Sequence, residues 1–333
     1  MTRALITGAS GFVGSHLAEY LIDNTDWDVY GMLRWNEPAD NLQSLIPLAN
    51  RKERMAFSYG DLRDSWSMSD VVRVVRPDYV FHLGAQSYPQ TSFGAANDTL
   101  ETNIQGTVNL LEAVKQHARG AWVHVCSSSE VYGRAKKEHL PITEDCPFSP
   151  ASPYSVSKAA ADMMGRLYAD AYGMRILVTR MFTHTGARRG DVFAESSFAK
   201  QIAMIEAGQI EPVIRVGNLN SLRTIADVRD AVRAYHMLLT VNPQPGEVYN
   251  IGGSHSCTVG EILNALLRLS GVKAEVVVDP ARIRPVDADL QVPDCGKFIR
   301  HTGWVPSIPF EETMQSLLDH WRAMVRKGAY LIR

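Results

Sequence analysis

The sequence predicts an α/β fold, a doubly wound parallel sheet with a smaller, discontinuous C-terminal lobe. Three observations carry this. Short apolar runs alternate with amphipathic helical stretches through the first half of the chain. A glycine-rich turn stands between the first apolar run and the first helix, the join that opens a βαβ unit. After about residue 182 the alternation breaks, and helices and strands follow no regular rhythm.

Residues 4–7, 29–33, 55–58, 79–83, 122–126 and 176–179 are short apolar runs, as parallel strands buried on both faces must be. Helical patterns separate them. Residues 13–22 follow the glycine turn, and 68–76 stop before Pro77, which disfavours a helical residue ahead of it. Residues 99–116 carry a stripe of Leu100, Ile104, Val108, Leu111 and Val114. Residues 154–172 follow Pro153 and stop at Gly173, a proline start and a glycine stop. Beyond 182 the pattern predicts helices at 198–207, 227–239, 259–269 and about 310–326, with strands at 213–216 and 275–278. Residues 188–190 read as loop, and the 227–239 helix is expected to pack back on the sheet. The expected division is residues 1–182 plus about 224–252 for the sheet unit, and 183–223 plus 253–333 for the lobe.

With 333 residues and 45% hydrophobic content, the chain buries a large core. A net charge of -2 leaves no basic excess for nucleic acid. Cys126, Cys146, Cys257 and Cys295 show no metal-type or CxxC spacing, so free thiols in a reducing cytoplasm are expected, with no metal. No apolar run reaches membrane-spanning length, and no leader pattern precedes the first strand, so neither a membrane nor export is expected.

The turn Thr7-Gly8-Ala9-Ser10-Gly11-Phe12-Val13-Gly14 joins a strand to a helix N-terminus, where glycines let backbone approach a pyrophosphate. This predicts a dinucleotide site of Rossmann type. Arg34 ends the second strand, where NAD sites usually place an acid. An arginine there suits the 2′-phosphate of NADP, leaving NAD possible. Asp61 and Leu62 follow the third strand and fit an adenine pocket, although Asp61 alone reads as a helix cap. Leu83, Gly84, Ala85, Gln86 and Ser87 follow the fourth, and the small residues permit close ligand approach. His82 alone reads as packed.

Ser127–Ser129 and Glu130 end the fifth strand, at the carboxyl edge where such sheets bind ligands. Tyr154 and Lys158 stand four apart on one helix face. An ammonium beside a phenol favours the phenolate, so Tyr154 is expected to act as a base near neutral pH. Together these features point to hydride transfer between a nicotinamide and a sugar-like alcohol. Lys200, Arg223 and Arg284 are separate cations in the lobe, and together suggest a clamp for a nucleotide diphosphate.

On these residues the chain resembles the extended short-chain dehydrogenase/reductases that act on nucleotide sugars, over nearly its whole length. Within them it looks most like the GDP-mannose 4,6-dehydratases and the GDP-4-keto-6-deoxymannose reductases. Residues 198–202, 216–219 and 227–230 look like the reductases. Arg188-Arg189-Gly190 and Ser128-Ser129-Glu130-Val131-Tyr132-Gly133 look like the dehydratases. The resemblance implies NADP, Ser128 orienting the sugar hydroxyl, Glu130 removing the C5 proton, and Lys158 on the nicotinamide ribose. It implies a GDP-sugar lined by Gln86, Ser87, Thr183, His184, Arg189, Lys200, Arg223 and Arg284. It also implies pairing of helices 99–116 and 154–172 into a homodimer or homotetramer. Thr183 stands where the family often has asparagine, and Thr224-Ile225 follow Arg223 in place of an aspartate and an aromatic. The expected reaction is 4,6-dehydration, with NADPH-dependent 4-keto reduction and 4-epimerisation as alternatives.

Overall fold

A computed structural model describes residues 1–283, 286 and 288–330. In chain order its strands are β1 (Arg3–Thr7), β2 (Asp28–Leu33), β3 (Met55–Tyr59), β4 (Tyr79–His82), β5 (Trp122–Ser128), β6 (Arg175–Met181), β7 (His184–Thr185), β8 (Val213–Val216), β9 (Leu222–Asp227), β10 (Val248–Ile251), β11 (His255–Thr258), β12 (Glu275–Val278) and β13 (Leu290–Gln291). The helices are α1 (Phe12–Asn24), α2 (Leu45–Arg51), α3 (Ser65–Val75), α4 (Pro89–Ser92), α5 (Ala96–Leu100), α6 (Gly106–His117), α7 (Pro153–Tyr172), α8 (Ala194–Glu206), α9 (Val228–Thr240), α10 (Val259–Ser270), α11 (Gly296–Thr302) and α12 (Phe310–Lys327).

Seven strands form one parallel sheet in the order β10-β6-β5-β4-β1-β2-β3. The chain starts at β1, winds out to β3, and returns to β4 on the other side of β1. That reversal opens a crevice at the carboxyl ends of β1 and β4, where Thr7 pairs with Met32 and His82. Alternate residues of each strand face opposite layers. Ala4, Ile6, Phe81 and Leu177 pack on α1 and α9, with Leu17, Leu21, Tyr235 and Leu239. Leu5, Val80, Val123 and Val178 pack on α3, α6 and α7, with Val72, Leu111 and Tyr168. The 227–239 helix therefore does return to the sheet.

The helix ends follow local chemistry. Ser152 caps α7 by accepting from the Ser155 N–H, Pro153 takes the first turn, and Gly173 leaves it at φ 62°. Thr258 and Glu261 form a capping box on α10. The predicted single helix at 99–116 is instead α5, a π turn at Glu101–Gln105, and α6. Within the turn, Asn103 spends its amide on Gln86 N and O and on Ser157 Oγ, at 2.8, 3.0 and 2.8 Å.

A separate core gathers α8, α10 and α12, with Phe198, Ile202, Leu263, Leu266, Met314 and Leu318. Beside it lie a small sheet of β11, β9 and β13, with β7 on β9, and the pair β12-β8. No described helix is long and apolar enough to cross a membrane.

Candidate active site

A crevice of about 1650 Å³ runs from the glycine turn, past the ends of β4 and β5, to the second core. A pocket for one drug-sized ligand measures roughly 300–1000 Å³, so there is room for a dinucleotide and a nucleotide sugar together.

At its floor the glycine turn has the close fit a pyrophosphate cradle needs. Gly8 has φ 70°, and a Cβ there would stand 2.7 Å from Gly84 Cα; one on Gly14 would stand 2.2 Å from Gly8 O. Ser10, Gly11, Phe12 and Val13 line the crevice at the N-terminus of α1. Thr7 Oγ accepts the Gly84 N–H and donates to His82 Nδ1. Thr107 gives its hydrogen to Asn103 O, so it must accept from His82 Nε2–H. His82 is thus a packed, neutral histidine. Burial first, and Lys158 second, push its pKa down to about 3.

Arg34, Asp61, Leu62, Leu83, Gly84 and Ala85 line the same crevice. Asp61 is not the helix cap: Asp64 caps α3, accepting from Trp66 N–H, and the Asp61 carboxylate binds Arg63 at 2.8 Å. That hydrogen bond is the main force holding Asp61 below the usual carboxylate range, against the cost of burial. Sequence reasoning missed Glu37, which shares this end with Arg34; an acid soon after the second strand was the available signal.

Ser128, Glu130, Tyr154 and Lys158 come together farther along. Ser128 ends β5, and its Oγ accepts the Glu130 N–H at 3.2 Å. The expectation that Lys158 sets the Tyr154 proton needs correction. Lys158 Nζ donates to the Cys126 carbonyl at 2.6 Å. Burial dominates at Tyr154 and pushes the phenol well above its usual 10.0, while a hydrogen bond with Ser128 and the charge of Arg189 pull it down. The sequence shows the charges but not the desolvation.

Gln86, Ser87, Thr183, His184, Arg189 and Arg223 also line the crevice. Gln86 is tied down by Thr99 and Tyr88. His184 stacks on Phe12 with ring centroids 5.8 Å apart, and burial holds it neutral, with a pKa of about 3. The Arg189 guanidinium lies 3.3 Å from the Phe193 ring centroid, and its Nε is 3.4 Å from Glu195 Oε1. Burial pulls Arg189 down and Glu195 pulls it back. The neighbouring Arg188 locks the loop to α1 through Glu19, at 2.7 Å.

Lys200 departs from expectation. It is buried beside the crevice, bound to Asp191 at 2.7 Å and facing the rings of Trp321 and Tyr330, and it is not among the lining residues. An aspartate nine residues earlier claims its charge. Arg284 lies outside the described residues. Arg282, which the reading passed over, does line the crevice and donates to Ser197 Oγ at 3.0 Å. The alternation Arg282-Ile283-Arg284 was the signal for it. Among the described residues no group of three His, Cys, Asp or Glu side chains is gathered as a metal site would need.

A family model described as GDP-mannose 4,6 dehydratase matches residues 5–317. The GDP-6-deoxy-D-mannose reductase of Pseudomonas aeruginosa is 32% identical over 326 residues, covering 98% of this chain and 99% of the relative. GDP-mannose 4,6 dehydratase 1 of Arabidopsis thaliana is 31% identical, covering 95% and 88%. Among solved structures, RMD from Pseudomonas aeruginosa complexed with NADPH superposes with a TM-score of 0.82 at 30% identity, covering 97% and 99%. A UDP-glucose 4-epimerase of Thermotoga maritima with UDP-glucose gives 0.85 at 27%, covering 97% and 100%.

Proposed function

The chain belongs to the GDP-mannose 4,6-dehydratase family of the extended short-chain dehydrogenase/reductases, and from that premise we propose that it is a GDP-sugar 4,6-dehydratase working through NADP, converting GDP-mannose to GDP-4-keto-6-deoxymannose. The observation that carries the reading is the meeting of Ser128, Glu130, Tyr154 and Lys158 in one crevice with the glycine cradle.

The residues from Gly8 to Gly14, with Arg34, Asp61, Leu62 and the 83–85 segment, would hold the dinucleotide. Bound there, it would supply the acceptor for a hydride from C4 of the sugar and the donor that returns it at C6. Tyr154 accepts the proton of the C4 hydroxyl, with Ser128 orienting O4. Ser128 and Arg189 pull toward the phenolate without outweighing burial, and the positive charge of an oxidised nicotinamide would supply the remainder. The C4 ketone acidifies the C5 proton, which Glu130 removes. Of the two protons then held on Glu130 and Tyr154, one goes to the departing C6 hydroxyl, which leaves as water, and the other returns to C5 as the hydride enters C6. Lys158 holds the nicotinamide ribose and fixes α7 to the end of β5. Arg223, with Arg282, faces the diphosphate.

Purified protein given GDP-mannose and NADP should form a 4-keto-6-deoxy sugar with no net consumption of NADPH. Glu130→Gln should slow elimination far more than it weakens cofactor binding. A second reading is an NADPH-dependent 4-keto-6-deoxy-sugar reductase. It rests on the Pseudomonas aeruginosa relative and on Tyr154 itself, since a phenol held protonated is the acid such a reduction needs. Loss of NADPH absorbance in step with product would select it. The residues 1–182 with about 224–252 would hold the cofactor, and 183–223 with 253–333 the sugar nucleotide. Val156, Met163 and Leu167 leave an apolar strip exposed on α7. Pairing there with α6 would give a cytoplasmic homodimer or homotetramer, which light scattering would detect.

A further inference from the structure

The ribose end of the crevice carries two opposite devices on one turn. The chain leaves β2 at Leu33 and bends back, with the Glu37 N–H donating to Arg34 O at 3.2 Å. The Glu37 carboxylate then closes on the residue it faces. Its Oε2 accepts the Arg34 backbone N–H at 3.1 Å, and its Oε1 lies 3.7 Å from Arg34 Nη2. Glu37 is the better fixed of the two, with 20% of its side chain exposed against 56% for Arg34. Asn41 donates to Ser10 O at 3.0 Å and so ties this segment to the glycine turn. Nearby, Arg63 divides its charge between Asp61 and Asp98.

In dinucleotide sites of this fold, a carboxylate at this place accepts hydrogen bonds from the ribose 2′-hydroxyl of NAD, and an arginine meets the 2′-phosphate of NADP. Here both occur within four residues. A 2′-phosphate entering beside Arg34 meets the like charge of Glu37, whereas a 2′-hydroxyl finds an acceptor. We propose that Arg34 and Glu37 together make this end of the crevice accept both NADP and NAD, with Glu37 setting the ratio between them. The proposal rests on the reading of the crevice as a dinucleotide site. Specificity here is a difference of two affinities, so one repulsive group shifts it as effectively as one attractive group.

The test is direct titration of NADP+ and of NAD+ into the full-length protein, freed of bound nucleotide and without sugar, followed by calorimetry. The wild-type protein should bind both, with dissociation constants within about tenfold of each other. Glu37→Gln keeps the shape and removes the charge. It should tighten NADP+ by about tenfold, the size expected of one charge a few ångström away in a partly solvated site, and weaken NAD+. Arg34→Gln should weaken NADP+ and leave NAD+ unchanged. A Glu37→Gln protein with an unaltered NADP+/NAD+ ratio overturns the proposal, as does a wild-type preference beyond a hundredfold. If the wild-type protein binds neither dinucleotide, the cofactor site itself is misread and the proposal falls with it.

Discussion

The Lys158 ammonium is bound to the Cys126 carbonyl oxygen at 2.6 Å, and the bond runs from the second turn of α7 to β5 near its end. Ser127 Oγ returns a bond to the Lys158 carbonyl at 3.1 Å. The two contacts stitch α7 to β5 and leave the Tyr154 proton governed chiefly by burial.

A spectroscopic prediction follows for that phenol. Burial raises its pKa above the usual 10.0, so in the ligand-free protein Tyr154 keeps its proton through the neutral and mildly alkaline range. Ultraviolet difference titrations of the wild-type and Tyr154→Phe proteins should superimpose up to about pH 10. A tyrosinate step near neutral pH that vanishes in Tyr154→Phe would contradict the burial argument.

Acid should destabilise the fold through its buried histidines. Burial brings His82, His124 and His184 each from 6.5 to about 3. A folded pKa below the unfolded one gives stability that is full above pH 6.5 and is lost as pH falls toward 3, because only the unfolded chain takes up the proton. Between pH 7 and pH 5 each contributes a loss of about 2 kcal/mol. Urea unfolding at these two pH values measures it, and His124→Gln should flatten the dependence by about one histidine's share.

The pair Asp162–Arg180 lies wholly inside, joining α7 to β6 at 2.8 Å. Asp162 is 0% exposed and also holds Arg166 at 2.9 Å. Asp162→Ala leaves the Arg180 charge buried and unpaired, and should cost about 3–5 kcal/mol in urea unfolding. A loss under about 1 kcal/mol would mean that Tyr132 and the Glu144 carbonyl, its other partners, suffice.

Gly14→Ala sets a methyl carbon against Gly8 O, inside any real contact distance. The turn and α1 must part to admit it. NADP+ binding by calorimetry should weaken by at least tenfold, with a drop in Tm of several degrees. Unchanged affinity would show that the turn is not the cradle.

The main sheet was legible because its strands are buried on both faces and read as local apolar runs. Six of them fall within a few residues of their predicted places. β10 escaped the reading because Asn250 interrupts the apolar run of Val248–Ile251. The sheet of β9, β11 and β13 pairs residues thirty or more apart, one strand being just Leu290–Gln291, and no local period announces such a pairing. At the site, residue types were visible but partners were not. Lys200 looks like a free cation until the fold brings Asp191 to it, and Tyr154 looks acidified until its desolvation is weighed.

The final edge of the seven-stranded sheet is laid by β10, after the chain has left for β7, α8, β8 and β9 and come back through α9. Trp304, much later still, seals the core beneath α9 by donating to Asp230 O at 3.1 Å. A ribosome that has released only the first 182 residues has therefore made an uncapped half, in which Leu177 and Phe81 lack α9 as a packing partner. Such a piece carries the glycine turn and Tyr154 but not the far wall of the crevice, which comes from Arg215, Arg223, Arg282 and the residues about Trp321, so a cut at midchain leaves the crevice half built.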